Sequence, residues 1–188
     1  MADARGSESA TVDGDRPAGD ERRPGIDGPL GFAVVTVSGD RGIEDDEPTG
    51  EIVSAVEAAD HEVAVRERID ASHDNVQSAV SRLVDRDDVD LVVAAGSTGI
   101  EPSDVTVEAV RPILEKDLPT FRYAYAIRAI ERIGTRAIGG RTEAGIVDGV
   151  PVFCLPGNAE ATRLAIEELI EPEAVRLVAT ARGDEDDD

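Results

Sequence analysis

Tryptophan is absent, and cysteine, methionine and lysine each occur once, as Cys154, Met1 and Lys116. A single cysteine excludes an intramolecular disulfide and any metal site built from several thiolates. Its setting, Val152-Phe153-Cys154-Leu155, reads as a buried strand, where a structural thiol is the commoner case and a nucleophile the alternative. No stretch approaches the about 18 consecutive apolar residues of a membrane-spanning helix, and the N-terminal residues lack the apolar core of a secretion signal. A cytoplasmic protein with no membrane partner is the expectation.

Positive charge is scarce too. The 19 basic residues face 41 acidic ones, for a net charge of -22. A field of that sign repels the phosphate backbone of nucleic acids and anionic membrane surfaces. All the basic residues except Lys116 are Arg. An acidic, Lys-poor surface suits a cytoplasm of molar salt, where the Debye length shrinks to about 3 Å and self-repulsion costs little. A halophilic source is the expectation, with a GC-rich codon bias as the alternative explanation of Arg over Lys.

What is present is aliphatic: 40% of the 188 residues are hydrophobic, mostly Val, Ile, Leu and Ala. The chain has room for one domain with loose ends. Residues 1–28, rich in Gly, Pro, Ser, Asp and Arg without apolar period, read as a disordered leader, and 183–188 as a solvated acidic tail. Between them, in 29–182, short apolar runs alternate with amphipathic stretches. Strands are predicted at Phe32–Val37, Val63–Val65, Leu91–Ala95 and Val152–Leu155. Helices are predicted from a Thr49 cap, from about Asn75 to Val84, Val105 to Lys116, Phe121 to Ile133, Asn158 to Ile170 and Glu173 to Ala181. The Gly-rich segment 137–149 can hold a β-hairpin turning at Asp148-Gly149. The alternation predicts an α/β fold: a single domain with a doubly wound, mostly parallel sheet and helices on both faces, its ligands at the carboxyl ends of the strands.

Three strand-to-helix junctions meet at that edge. After the first strand, Ser38 can offer a hydroxyl, or the segment is simply a turn. After the third come Gly96-Ser97-Thr98-Gly99 and then Asp104. Glycines allow successive amides to converge on an anion, and Ser97 and Thr98 add hydroxyls. A carboxylate repels phosphate, so Asp104 either holds a divalent cation between them or caps the following helix through the amides of Thr106 or Val107. The loop is not a P-loop, lacking the Gly-Lys-Ser/Thr ending. After the last strand, Pro156-Gly157-Asn158 forms a turn and helix cap that faces the second junction. Arg141 is either an anion contact or an ordinary surface cation, and His61 and His73 are too isolated for a metal site and read as surface residues.

In order, these segments resemble the molybdopterin-binding family that includes MogA, MoaB and the G domain of gephyrin. The match runs from about Phe32 to Pro172. Its main element is a Gly-Gly-Thr-Gly loop followed by Asp-x-Thr-x-Glu-Ala, here Gly96-Ser97-Thr98-Gly99 and Asp104-Val105-Thr106-Val107-Glu108-Ala109. Ser38, Asp45 or Asp46 with Thr49-Gly50, Ile133-Gly134 with Arg141 and Gly145, and Leu155-Pro156-Gly157 support it, and MoaB is the nearer pattern. The resemblance implies an adenylyltransferase that joins molybdopterin to ATP with Mg²⁺ and releases pyrophosphate. Asp104 would hold Mg²⁺; Gly96, Ser97, Thr98, Gly99, Thr106, Glu108 and Arg141 would serve the phosphates, and Ser38, Pro156, Gly157 and Asn158 the pterin phosphate. It also implies a homotrimer or homohexamer and a downstream metal-insertion partner. The chain departs from the family where Gly-Phe-x-Glu-x-x-Arg is usual: Thr120 to Ala126 lacks both charges, with Tyr123 and Ala126 at their places. Gly140 stands for a usual Ser, and Asp70 and Asp74 are out of register with the carboxylate that MogA-type members place after strand two. Catalysis and binding without catalysis both remain readings of this pattern.

Overall fold

The computed structural model describes residues 28–39 and 47–183. The predicted leader up to residue 27, Asp45, Asp46 and the acidic tail after 183 lie outside the described residues. The chain runs β1 (Gly31–Ser38), α1 (Glu47–Ala58), β2 (Glu62–Asp70), α2 (His73–Val84), β3 (Leu91–Ala95) and α3 (Thr106–Val110). It continues through β4 (Lys116–Asp117), α4 (Pro119–Ile133), β5 (Glu143–Val147), β6 (Val150–Leu155), α5 (Ala159–Ala165) and α6 (Ala174–Arg182). The strands form one sheet in the order β2-β1-β3-β6-β5-β4. The first four of these are parallel, β5 runs antiparallel to β6, and β4 at the far side runs antiparallel to β5.

Both faces of the sheet are dry along β1, β3, β5 and β6, whereas the edge strands β2 and β4 carry exposed charged residues. Along β1, Phe32 and Val34 join a core with Ile52 of α1, Ala129 of α4, Leu164 of α5 and Val178 of α6. Their alternates Ala33, Val35 and Val37 join Val80 of α2, Val107 of α3 and Cys154 of β6 on the opposite face. That is the doubly wound arrangement, and the parallel strands deliver their carboxyl ends to one edge. Cys154 is fully buried there, and desolvation pushes its thiol far above the ordinary range, which suits structure rather than nucleophilic attack.

Several predicted boundaries move. Thr49 does not cap α1 but lies inside its first turn, buried, with its hydroxyl bonded to that of Thr36. The helix expected to reach Lys116 is only five residues, because Pro112 has no amide proton to continue the ladder; a 3₁₀ turn at Arg111–Ile113 follows and β4 pairs with β5 instead. The hairpin is β5–β6, with its first arm starting at Glu143, and Asp148 and Gly149 both take positive φ at the two-residue turn. His61 is not a surface group: its Nδ1 accepts the Leu30 amide at 3.2 Å and its ring stacks on Phe32.

Candidate active site

The three junctions come together through backbone, at glycines. Gly96 takes φ +108°, and a Cβ there would fall 2.1 Å from the Val37 carbonyl oxygen. Its amide donates to the Leu155 carbonyl at 2.9 Å, and a Cβ on Gly157 would lie 2.8 Å from the Gly96 Cα. The end of β1 and the loops after β3 and β6 therefore touch with no side chain between them. Two buried threonines hold this contact from behind. The Thr106 hydroxyl donates to the Gly96 carbonyl at 2.7 Å, and the Thr162 hydroxyl to the carbonyls of Pro156 and Asn158 at 3.0 and 2.8 Å. Thr106 thus shapes the loop and faces inward; Thr162 does the same work for the third loop and was not singled out from sequence.

The outer side of Gly96–Gly99 is held by Arg141. Its Nε donates to the carbonyls of Gly99 and Thr98, at 2.8 and 3.3 Å, and its terminal nitrogens bond the Glu108 carboxylate. Those bonds from Arg141 keep the Glu108 carboxyl below its ordinary range. In a trans peptide the N–H points opposite to the preceding C=O, so this grip turns the Gly99 and Ile100 amides away from Arg141. The amides of Ser97, Thr98, Gly99 and Ile100 make no hydrogen bond among the described residues. Nor does the Thr98 hydroxyl, although Thr98 is only 3% exposed. A row of unsatisfied donors in a glycine turn is an anion cradle.

Asp104 does not cap α3, which has no side-chain cap. Its Oδ2 accepts the Glu101 amide at 2.8 Å, closing a turn over residues 101–104, and lies where a Cβ on Gly99 would be, 2.7 Å away. One carboxylate oxygen therefore remains without a hydrogen bond, beside the cradle. Among the described residues no group of three His, Cys, Asp or Glu gathers to hold a metal ion. A lone carboxylate next to a phosphate cradle fits a hard cation that arrives shared with substrate phosphates, the usual habit of Mg²⁺.

Ser38 ends β1 half-buried, its Oγ accepting from Arg68 Nε at 3.2 Å. Asp70, set aside on motif spacing, pairs directly opposite Ser38 at the end of β2, so the sheet register places a second carboxylate on this edge. Asn158 caps α5, its side-chain oxygen accepting the Ala161 amide at 2.9 Å, which leaves its amide nitrogen unengaged. In the altered stretch of α4, Phe121 packs edge-on against Phe153 and Arg122 turns to Glu143, while Tyr123 and Ala126 are exposed.

Residues 20–176 match the family described as "Probable molybdopterin binding domain". The chain belongs to this molybdopterin-binding family. Molybdenum cofactor biosynthesis protein B of Bacillus subtilis is 36% identical over 152 residues, spanning 80% of this chain and 89% of the relative. A crystal structure of a molybdenum cofactor biosynthesis protein B superposes with a TM-score of 0.79 at 30% identity, covering 82% of this chain and 97% of that one. The tungsten cofactor synthesizing protein MoaB from Pyrococcus furiosus follows at 0.74 and 28%, covering 82% and 98%. Both solved structures share nearly their whole length with this chain. No helix of the described residues is long and apolar enough to cross a membrane.

Proposed function

We propose that this chain acts in molybdenum or tungsten cofactor biosynthesis, binding molybdopterin and ATP at the carboxyl edge and transferring AMP to the pterin's phosphate. The observation that carries the reading is the cradle itself: four unpartnered amides over the buried, unpartnered Thr98 hydroxyl, with Asp104 beside it. In the transfer a phosphate oxygen of molybdopterin forms a bond to the α-phosphorus of ATP, the bond from that phosphorus to the bridging oxygen breaks, and pyrophosphate leaves. Two anions must meet, and charge gathers on the leaving phosphate; fixed N–H donors stabilise that charge without reorganising. Asp104 would hold Mg²⁺, which when bound supplies charge neutralisation between the two anions. Arg141, with Glu108 behind it, keeps the donors aimed. Ser38, Gly157 and Asn158 line the pterin-phosphate side, and no side chain needs to form a covalent intermediate.

The reading extends to a cytoplasmic homotrimer or homohexamer that hands its product to a metal-inserting partner. Tyr123, Ile127 and Ile130, exposed along one side of α4, are suited to subunit contact. The test is incubation of the protein with molybdopterin, ATP and Mg²⁺ in molar KCl. Pyrophosphate and adenylyl-molybdopterin are expected for the wild type and not for Asp104→Asn, which keeps the bond to the Glu101 amide but removes the charge. A folded wild type without AMP transfer overturns the catalytic reading. It would then favour a non-catalytic molybdopterin-binding role, for which the observation is the loss of both family charges at Tyr123 and Ala126.

A further inference from the structure

Arg68 lies on β2, outside all three junction segments, yet the fold carries its charge to the same edge. The sheet register sets Arg68 beside Thr36 and Asp70 beside Ser38. Side chains two apart on a strand share a face, so Arg68 and Asp70 stand on one side of the sheet. Arg68 Nε donates to Ser38 Oγ at 3.2 Å. That bond draws the long side chain along the strand to the end of β1, one residue past Val37, whose carbonyl oxygen closes on Gly96.

A guanidinium carries N–H donors on three nitrogens. The two terminal nitrogens of Arg68 have no partner among the described residues, and no carboxylate there lies within salt-bridge distance of it. Its neighbours behave differently. Arg82, across β2 on α2, is held by both oxygens of Glu67 at 2.9 and 2.7 Å, and Arg141 is held by Glu108. Arg68 thus brings uncompensated positive charge to an edge that also carries Asp70 and Asp104, in a chain of net charge -22. A fixed cation of this kind raises the local concentration of an anionic ligand.

We propose that Arg68 grips the phosphate monoester of molybdopterin, its two terminal nitrogens donating to two phosphate oxygens and leaving the third to attack the α-phosphorus of ATP. The assignment rests on the molybdopterin reading above and adds to it the residue that makes the site demand a phosphorylated pterin. A planar guanidinium matches two oxygens of one phosphate, which the ammonium of a lysine, a point charge, cannot do. Ser38 accepts from Nε, so its own proton is free to turn to the same phosphate. The monoester then lies across the Val37–Gly96 contact from the cradle that takes the ATP phosphates.

The experiment is equilibrium titration in molar KCl with molybdopterin, with 6-hydroxymethylpterin, which has no phosphate, and with ATP. The proteins are the wild type, Arg68→Gln and Arg68→Lys. Arg68 is exposed, so the variants keep the fold, which circular dichroism checks. A direct contact acts within the about 3 Å Debye length of molar salt and survives its screening. Arg68→Gln should weaken molybdopterin about tenfold or more, and Arg68→Lys should recover part of that loss. The affinities for 6-hydroxymethylpterin and ATP should not change. Equal molybdopterin affinity in Arg68→Gln and the wild type, an equal loss for both pterins, or a loss for ATP instead overturns the assignment while the molybdopterin reading stands. If the folded wild type binds no molybdopterin, that reading falls and the role of Arg68 with it.

Discussion

Replacing Gly96 by Ala tests whether the site is assembled by backbone contact. The residue sits at φ +108°, where an L side chain is strained by about 1–2 kcal/mol. The new methyl would also fall 2.1 Å from the Val37 carbonyl oxygen, so the end of β1 and the loop after β3 must part by roughly 1 Å before contact becomes ordinary. Parting them stretches the 2.9 Å bond from the Gly96 amide to Leu155, and overpacking of this kind costs about 1–3 kcal/mol more. A loss of about 2–5 kcal/mol is expected, a large share of the about 5–15 kcal/mol of an ordinary domain. The control is Gly50→Ala. Gly50 lies in α1 with nothing near its Cβ position, and there the same change should stabilise by about 0.5–1 kcal/mol. Urea unfolding midpoints in molar KCl measure both, and ATP affinity should fall for Gly96→Ala alone. If Gly96→Ala unfolds at the wild-type midpoint and binds ATP normally, the close approach of the three loops is wrong.

The Glu108 carboxyl is held below its ordinary value, so the stability it contributes is complete above the unfolded value near 4.5 and disappears as pH falls through the lower folded one. The difference in stability between wild type and Glu108→Gln, followed by urea midpoint, should accordingly shrink only as pH drops below about 4.5; a difference that vanishes instead near pH 7 contradicts the Arg141 pairing. Glu143, 1% exposed, is bonded to Arg111 and Arg122 at 2.6 Å each. Removing both cations with Arg111→Ala and Arg122→Ala should cost about 3–5 kcal/mol by stranding a buried charge, whereas Glu143→Leu in that double background should restore much of it, read again from urea midpoints. The net charge of -22 predicts a melting temperature that climbs between low and molar KCl; a flat curve removes the high-salt reading of the surface.

The strands and the winding were legible because apolar character is local. In β1 both Phe32–Val34 and Ala33–Val35 are apolar, so a sheet buried on both faces follows from adjacent letters. The cradle was legible for the same reason, as glycines, hydroxyls and an acid lie within nine residues of one another. What escaped depends on partners far along the chain. Nothing in the letters around Glu143 marks it, and only the fold brings Arg111 and Arg122, 32 and 21 positions away, onto its two oxygens. Arg141 reads as an anion contact or a surface cation; its grip on carbonyls 42 and 43 positions away turns it into a support. Asp70 is out of register with the family's carboxylate, and only the pairing of β2 with β1 shows that it stands opposite Ser38. The end of α3 is different: Pro112 was a readable stop that a purely periodic reading overran.

The altered stretch of α4 divides along the same physical line. Its inward residues Phe121, Arg122 and Tyr125 serve the core, the Glu143 pair and the cavity between α4 and α5. Its outward residues Tyr123 and Ala126 stand where the family pattern carries an acid and a base, and Tyr123 is 66% exposed. None of the bonds that shape the Gly96–Gly99 cradle comes from these two positions. On the proposed function, loss of the charges leaves the cradle's bonds in place and would bear on turnover rather than on binding. Tyr123→Glu combined with Ala126→Arg separates the two. The pair is one turn apart on an exposed helix face, so the fold is expected to hold and the affinity for molybdopterin to change less than about threefold, whereas the rate of AMP transfer should rise. Single-turnover assays and equilibrium titration on the same preparation give both quantities. A variant with tighter substrate binding and an unchanged rate would show that these positions act in recognition, contrary to the division drawn from the exposed face of α4.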